Sequence, residues 1–158
     1  MTDEQFTCAV RAYMDMVYRI ALNYLKAPEE AEDVTQNVFL RLLRSSKSFA
    51  SEEHLRYWLV RVAINECKRS LTSLWRKTEP LEDYADKLSF SSPEKSETYL
   101  AVMSLPRKYR MVIHLYYYEG YSTAEIAQLL HIPQSTVRTQ LERGRKLLRE
   151  RLEEAEHG

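Results

Sequence analysis

Apolar side chains recur every three or four residues along the first part of the chain, and that period predicts helices. Phe6, Val10, Tyr13, Val17, Ala21 and Leu25 fall on one helix face. Pro28, Glu29 and Glu30 restart the chain, because proline suits a first helical turn and acids favour a helix N-terminus. The next stripe is Val34, Val38 and Leu42, with Phe39 and Leu43 beside it. Ser45 to Ser51 is a polar, turn-prone break. A third helix then carries Leu55, Trp58, Leu59, Val62, Ala63 and Leu71 on one side.

The periodicity lapses over residues 76–95, which contain Pro80 and Pro93 and no helical stripe. That length exceeds most connections within a domain, so a linker is expected there. Beyond it, Ser104-Leu105-Pro106 begins a helix through Val112, Ile113 and Tyr116, closed by Gly120. Ser122 and Glu125 have the spacing of a capping box, followed by Ile126, Ala127 and Leu130. His131-Ile132-Pro133 reads as a turn, and a longer helix from about Ser135 turns Val137, Leu141 and Leu148 inward. Nothing reads as a strand. The expected fold is all-α, with two small helical domains at 1–76 and 99–158 and a flexible acidic linker at 77–98.

Composition removes several function classes. Hydrophobic residues make up 44% and charged residues 29%, ordinary for a folded soluble protein. The only glycines are Gly120, Gly144 and Gly158, so neither glycine-rich nucleotide-binding loop can be built. No run of 18 apolar residues occurs, and MTDEQFTCAV lacks a basic-then-apolar export signal, which predicts a cytoplasmic protein. Cys8 and Cys67 stand apart from each other, outside any CxxC, and read as reduced thiols rather than metal ligands. No metal, cofactor or small-molecule substrate is implied. His54, His114, His131 and His157 are scattered, without a carboxylate or thiol at a recognisable catalytic spacing, which argues against an enzyme.

The net charge is zero, yet its distribution points to nucleic acid. Arg56, Arg61, Lys68, Arg69, Arg76 and Lys77 face one acid, Glu66, within residues 54–77. Residues 78–98 are acidic, and residues 133–152 are basic again.

The C-terminal pattern of short helix, turn and longer helix is that of a helix-turn-helix. Its second helix places Arg138, Thr139, Glu142, Arg143 and Arg145 outward, and arginine can pair bidentately with guanine or grip phosphate. The plain alternative is an ordinary helical hairpin with solvated charges. His131 occupies the turn position where glycine commonly supplies a positive φ, a region histidine tolerates better than most residues. In the third helix, Arg61, Asn65, Lys68 and Arg69 lie opposite the apolar stripe. Arg61 and Arg69 stand four residues either side of Asn65. An amide framed by cations suits a surface that reads a base edge while holding phosphates. Tyr57 and Trp58 offer a stacking platform, although Trp58 also fits the apolar stripe and favours the core. The second helix offers Glu32, Asp33, Gln36, Asn37 and Arg41, a polar face whose purpose periodicity cannot decide.

The stretches AEDVTQNVFLRLLR, YWLVRVAINECKRSL and LPRKYRMVIHLYYYEGYSTAEIAQLLHIPQSTVRTQLERGRKLLRERL resemble, in order, hallmark parts of the extracytoplasmic-function sigma factors. These are the smallest members of the sigma-70 family. The resemblance spans almost the whole chain. It implies a transcription initiation factor without catalysis of its own, with region 2 at 1–76 and region 4 at 99–158. Asp33, Gln36, Asn37 and Leu40 would dock on the β′ clamp of core RNA polymerase. The loop Ser45–Glu53 and the helix bearing Arg61, Asn65, Lys68 and Arg69 would melt and read the −10 element, capturing an extruded base. Ser135, Thr136, Arg138, Thr139, Glu142, Arg143 and Arg145 would read the −35 element; the β flap is the second polymerase contact the resemblance implies. The linker would pass near the polymerase active centre and RNA exit channel. An anti-sigma factor, often membrane-anchored in this family, would hold the chain inactive. Asn37, His131 and Glu142 depart from the usual family residues, so promoter preference does not transfer from relatives. The runner-up function is a conventional helix-turn-helix regulator with an N-terminal sensing or dimerisation domain.

Overall fold

The computed structural model describes residues 1–72 and 96–157, and among them every regular element is helical. The linker expected at 77–98 lies mostly outside the described residues, as do Arg76 and Lys77. Two compact units divide the chain, Met1–Ser92 and Pro93–Gly158.

In the first unit, α1 (Asp3–Leu25), α2 (Pro28–Arg44) and α3 (Glu52–Thr72) pack against one another in all three pairings. Helix α1 starts at a capping box: Gln5 N–H donates to the Thr2 hydroxyl at 3.1 Å, and Thr2 N–H donates to Gln5 Oε1 at 2.9 Å. It stops at Lys26, whose left-handed φ of 56° turns the chain into Pro28, the first residue of α2. Val17, Ile20, Ala21, Val38, Leu42, Leu59, Val60 and Ile64 form the buried centre. The first turns of the α1 stripe are looser, since Phe6, Val10 and Tyr13 are only half-buried. Leu43, placed beside the α2 stripe by its spacing, is in fact 54% exposed.

The second unit is built on α7 (Gln134–His157). Against it pack α4 (Glu97–Met103), α5 (Arg107–Ile113) and α6 (Thr123–Leu130). Helix α4 has no counterpart in the sequence pattern; seven residues are too few to show a period. Helix α5 runs on into a π-helical turn, His114–Tyr118, so Tyr116 leaves the apolar stripe and is exposed. Leu105, Val112, Leu115, Ile126, Leu129 and Val137 fill the core. Arg110 is buried and donates to the Leu105 carbonyl at 2.9 Å, tying the α4–α5 turn to α5. Burial, reinforced by Arg107, lowers the pKa of that guanidinium.

Candidate nucleic-acid interfaces

On α2, residues 33, 36, 37 and 40 follow the i, i+3, i+4, i+7 spacing of a single helix face. Asp33 and Gln36 are half-buried, while Asn37 and Leu40 are exposed. The opposite face, with Ala31, Val34, Thr35, Val38 and Leu42, is buried. Leu43 extends the outer face by one turn, and its exposure is what the apolar spacing alone concealed.

Helix α3 has the same division. Arg61, Asn65 and Arg69 are exposed and Lys68 is half-buried, on the side away from Leu59, Val60, Ala63, Ile64 and Cys67. Trp58 is buried and belongs to the core rather than to a stacking platform. It still touches the preceding loop, because Phe49 meets its ring edge-on at 5.6 Å. The loop is anchored at α3: the Ser51 hydroxyl accepts from His54 N–H, and His54 Nδ1 accepts from Ala50 N–H, each at 3.1 Å. An open cavity of about 860 Å³ lies between this loop and the start of α1, with Gln5, Cys8, Tyr13, Lys47 and Phe49 in its wall. Glu66 is buried in the same helix and meets both Arg41 of α2 and Arg69. Part of the Arg69 charge is therefore used internally.

The helix-turn-helix has the local chemistry its spacing predicts. Ser122 and Glu125 form the capping box, at 3.1 Å and 3.0 Å, and so fix where α6 begins. His131 closes α6 with φ 56° and ψ 46°, so histidine does occupy the left-handed position. Gln134 then donates to the Thr123 hydroxyl at 2.8 Å, bracing the first turn of α7 against α6. Along α7, Ser135, Arg138, Thr139, Glu142, Arg143 and Arg145 are exposed and Thr136 is half-buried. Thr139 spends its hydroxyl proton on the Ser135 carbonyl at 3.0 Å. Arg145 is drawn aside to the Tyr117 hydroxyl at 2.9 Å. Gly144 is the close-approach point of α5 and α7: a Cβ there would lie 3.0 Å from Ile113 Cδ1 and 3.2 Å from Tyr109 Cβ.

One histidine departs from the sequence reading. His114 Nε2 lies 3.2 Å from Glu119 Oε1, a carboxylate partner the pattern did not offer. A spacing of five is out of register on an α-helix, and the π-turn brings the two together. The pair is buried, with the His114 ring stacked on Tyr118 at 5.3 Å.

Comparison with known proteins assigns both halves. Residues 9–77 match sigma-70 region 2, and residues 96–148 match sigma-70 region 4. The ECF RNA polymerase sigma factor SigW of Bacillus subtilis is 31% identical, over 94% of this chain and 89% of its own length. The chain belongs to the ECF sigma factors. It is an alternative sigma factor, a protein that directs RNA polymerase to promoters, and the reading as a conventional helix-turn-helix regulator is not favoured. SigX of Bacillus subtilis is 28% identical over 96% of this sigma factor and 85% of its own chain. The fold is shared with the sigma factor RpoE of Bartonella quintana, solved in complex with the anti-sigma factor NepR. That match has a TM-score of 0.73 at 19% identity, over 95% of this chain and 98% of that one. Among the described residues, no helix is long and apolar enough to cross a membrane.

Proposed function

We propose that the two units divide promoter recognition between them, with no catalysis by the chain itself. Region 2, at 1–76, docks on the β′ clamp through Asp33, Gln36, Asn37 and Leu40. It opens and reads the −10 element through Arg61, Asn65, Lys68, Arg69 and the loop before α3. Region 4, at 99–158, reads the −35 duplex through Ser135, Thr136, Arg138, Thr139, Glu142 and Arg143, and meets the β flap. Residues 77–98 link the two. The observation that carries this reading is the segregation of each set onto one outer face, opposite a closed core. Arg145 has the weakest claim, because Tyr117 already holds it.

The complex of the Bartonella quintana relative with NepR supports an anti-sigma factor as the inhibitor of this chain too, in the cytoplasm or anchored at the membrane. The test is reconstitution of the chain with core RNA polymerase on total genomic DNA, followed by mapping of transcript 5′ ends. A shared pair of upstream elements is expected. Starts identical to those of core polymerase alone would refute the assignment.

A further inference from the structure

A groove of about 230 Å³ runs between α5 and α7, lined by Lys108 and Tyr109 on one side and by Ser135, Thr136, Thr139 and Arg143 on the other. Its chemistry is one-sided. Lys108 and Arg143 are both exposed cations, and among the described residues no carboxylate pairs with either. The Lys108 ammonium instead lies over the Tyr109 ring, 5.1 Å from its centroid. Thr139 has committed its proton to the Ser135 carbonyl, which leaves Ser135 and Thr136 as hydroxyl donors beside the two cations. Two uncompensated cations and neutral hydroxyl donors lining one groove form a receptor for a phosphate oxygen. The close approach at Gly144 fixes the two walls, since a Cβ there would already press on Tyr109 and Ile113.

We propose that this groove binds a phosphodiester of the duplex backbone beside the −35 element, with Lys108 of α5 as its principal charge. The helix before the helix-turn-helix thereby becomes part of the DNA-binding surface. The inference rests on the reading of α7 as the −35-facing helix, and it goes beyond that reading by adding a second element and a sequence-independent contact.

The test uses holoenzyme, formed from the full chain and core polymerase, on a promoter fragment from which it initiates. Affinity is measured against salt for wild type, Lys108→Gln, Lys108→Arg and Arg138→Ala. Each phosphate contact adds about 0.9 to the slope of log affinity against log salt. Lys108→Gln is therefore expected to lower the slope by about 0.9, equally on strong and weak −35 sequences. Its deficit at 50 mM salt should be about three- to fourfold larger than at 200 mM. Lys108→Arg should keep the slope. An unchanged slope, or a loss that depends on the −35 sequence, overturns the proposal, because lost packing on Tyr109 would weaken stability without touching the salt dependence. Arg138→Ala separates the two readings: weakened −35 binding there, with Lys108→Gln silent, sinks the groove alone, while silence in both sinks the −35 face as well. Inorganic phosphate at constant ionic strength should compete with the duplex more weakly for Lys108→Gln than for wild type; equal competition against both proteins would place the anion elsewhere and overturn the assignment of the groove to the backbone phosphate.

Discussion

Arg41 of α2 and Glu66 of α3 meet at 2.5 Å, with the glutamate buried and the arginine half-exposed. The pair joins the helix assigned to polymerase docking to the helix assigned to the −10 element. Glu66 also reaches Arg69, at 3.4 Å, so one buried carboxylate is neutralised by two arginines. Removing Arg41 leaves that carboxylate with its weaker partner. A buried pair broken from one side costs several kcal/mol, while exposed pairs contribute under about 1 kcal/mol. With Arg41 half in solvent, Arg41→Ala should destabilise the first unit by about 1–2 kcal/mol in urea denaturation. Glu66→Gln combined with Arg41→Ala should cost less than the sum of the two single changes. Strict additivity would mean that the contact contributes nothing.

That pair also marks where sequence reading stops. Helices α1–α3 and the helix-turn-helix were legible because burial of one face imposes a period, and because capping and positive φ have local residue signatures, as at Ser122 and His131. Contacts between helices carry no such signal. Nothing in the spacing of Arg41 and Glu66 couples them, and nothing in YYYEG announced the π-turn that pairs His114 with Glu119. Leu43 failed for a related reason. Periodicity finds apolar residues that suit a core, and an interface that buries them only against a partner has the same composition. Of the residues proposed for the −35 element, the outward face of α7 was readable as a face. The opposing wall at Lys108 was not, since it belongs to another helix.

His131 holds φ 56° at the end of α6. A non-glycine residue in the left-handed region carries a penalty of about 1–2 kcal/mol, partly offset because glycine loses more entropy on folding. His131→Gly should therefore stabilise the second unit by about 0.5–1 kcal/mol, and His131→Val should destabilise it by more than 1 kcal/mol. Thermal unfolding of the three proteins checks the order. A valine variant as stable as the parent would mean that the turn has relaxed to another conformation.

Gly144 costs helix propensity, about 1 kcal/mol relative to alanine, yet alanine should not help. Its Cβ would meet Ile113 Cδ1, which can swing away, and Tyr109 Cβ, which is fixed to the backbone. Overpacking of that kind typically costs 1–3 kcal/mol. The second effect should win, so Gly144→Ala is expected to destabilise by about 1 kcal/mol, with Gly144→Leu far worse. A more stable alanine variant would show that α5 moves freely on α7.

Burial raises the Glu32 carboxyl above its ordinary value, with repulsion from Asp33 and Glu29 adding to the shift. An acid raised in the folded state is best tolerated when protonated. Its favourable contribution is complete below the ordinary carboxylate range and is lost as pH rises through the raised value. Glu32→Gln should therefore gain stability over wild type as pH climbs from that range toward neutrality, and match it at lower pH. A constant difference at every pH would place the effect in packing instead.

Asn65 stands exposed between Arg61 and Arg69, on a face with no role in the core. Its truncation should leave stability within about 0.5 kcal/mol. If its amide reads a base edge in the opened −10 strand, Asn65→Ala should lose about 1–3 kcal/mol there, roughly 5- to 150-fold in open-complex formation. Binding to an isolated −35 duplex should be unaffected. The flanking arginines ought to differ from each other. Arg69 shares its charge with Glu66, so Arg69→Ala should weaken promoter opening less than Arg61→Ala, and both should do so without changing base preference. Permanganate footprinting of the opened strand, run beside gel-shift titration of the −35 duplex, separates these outcomes. Equal losses in both assays for Asn65→Ala would remove it from the −10 site and leave the arginines as general phosphate contacts.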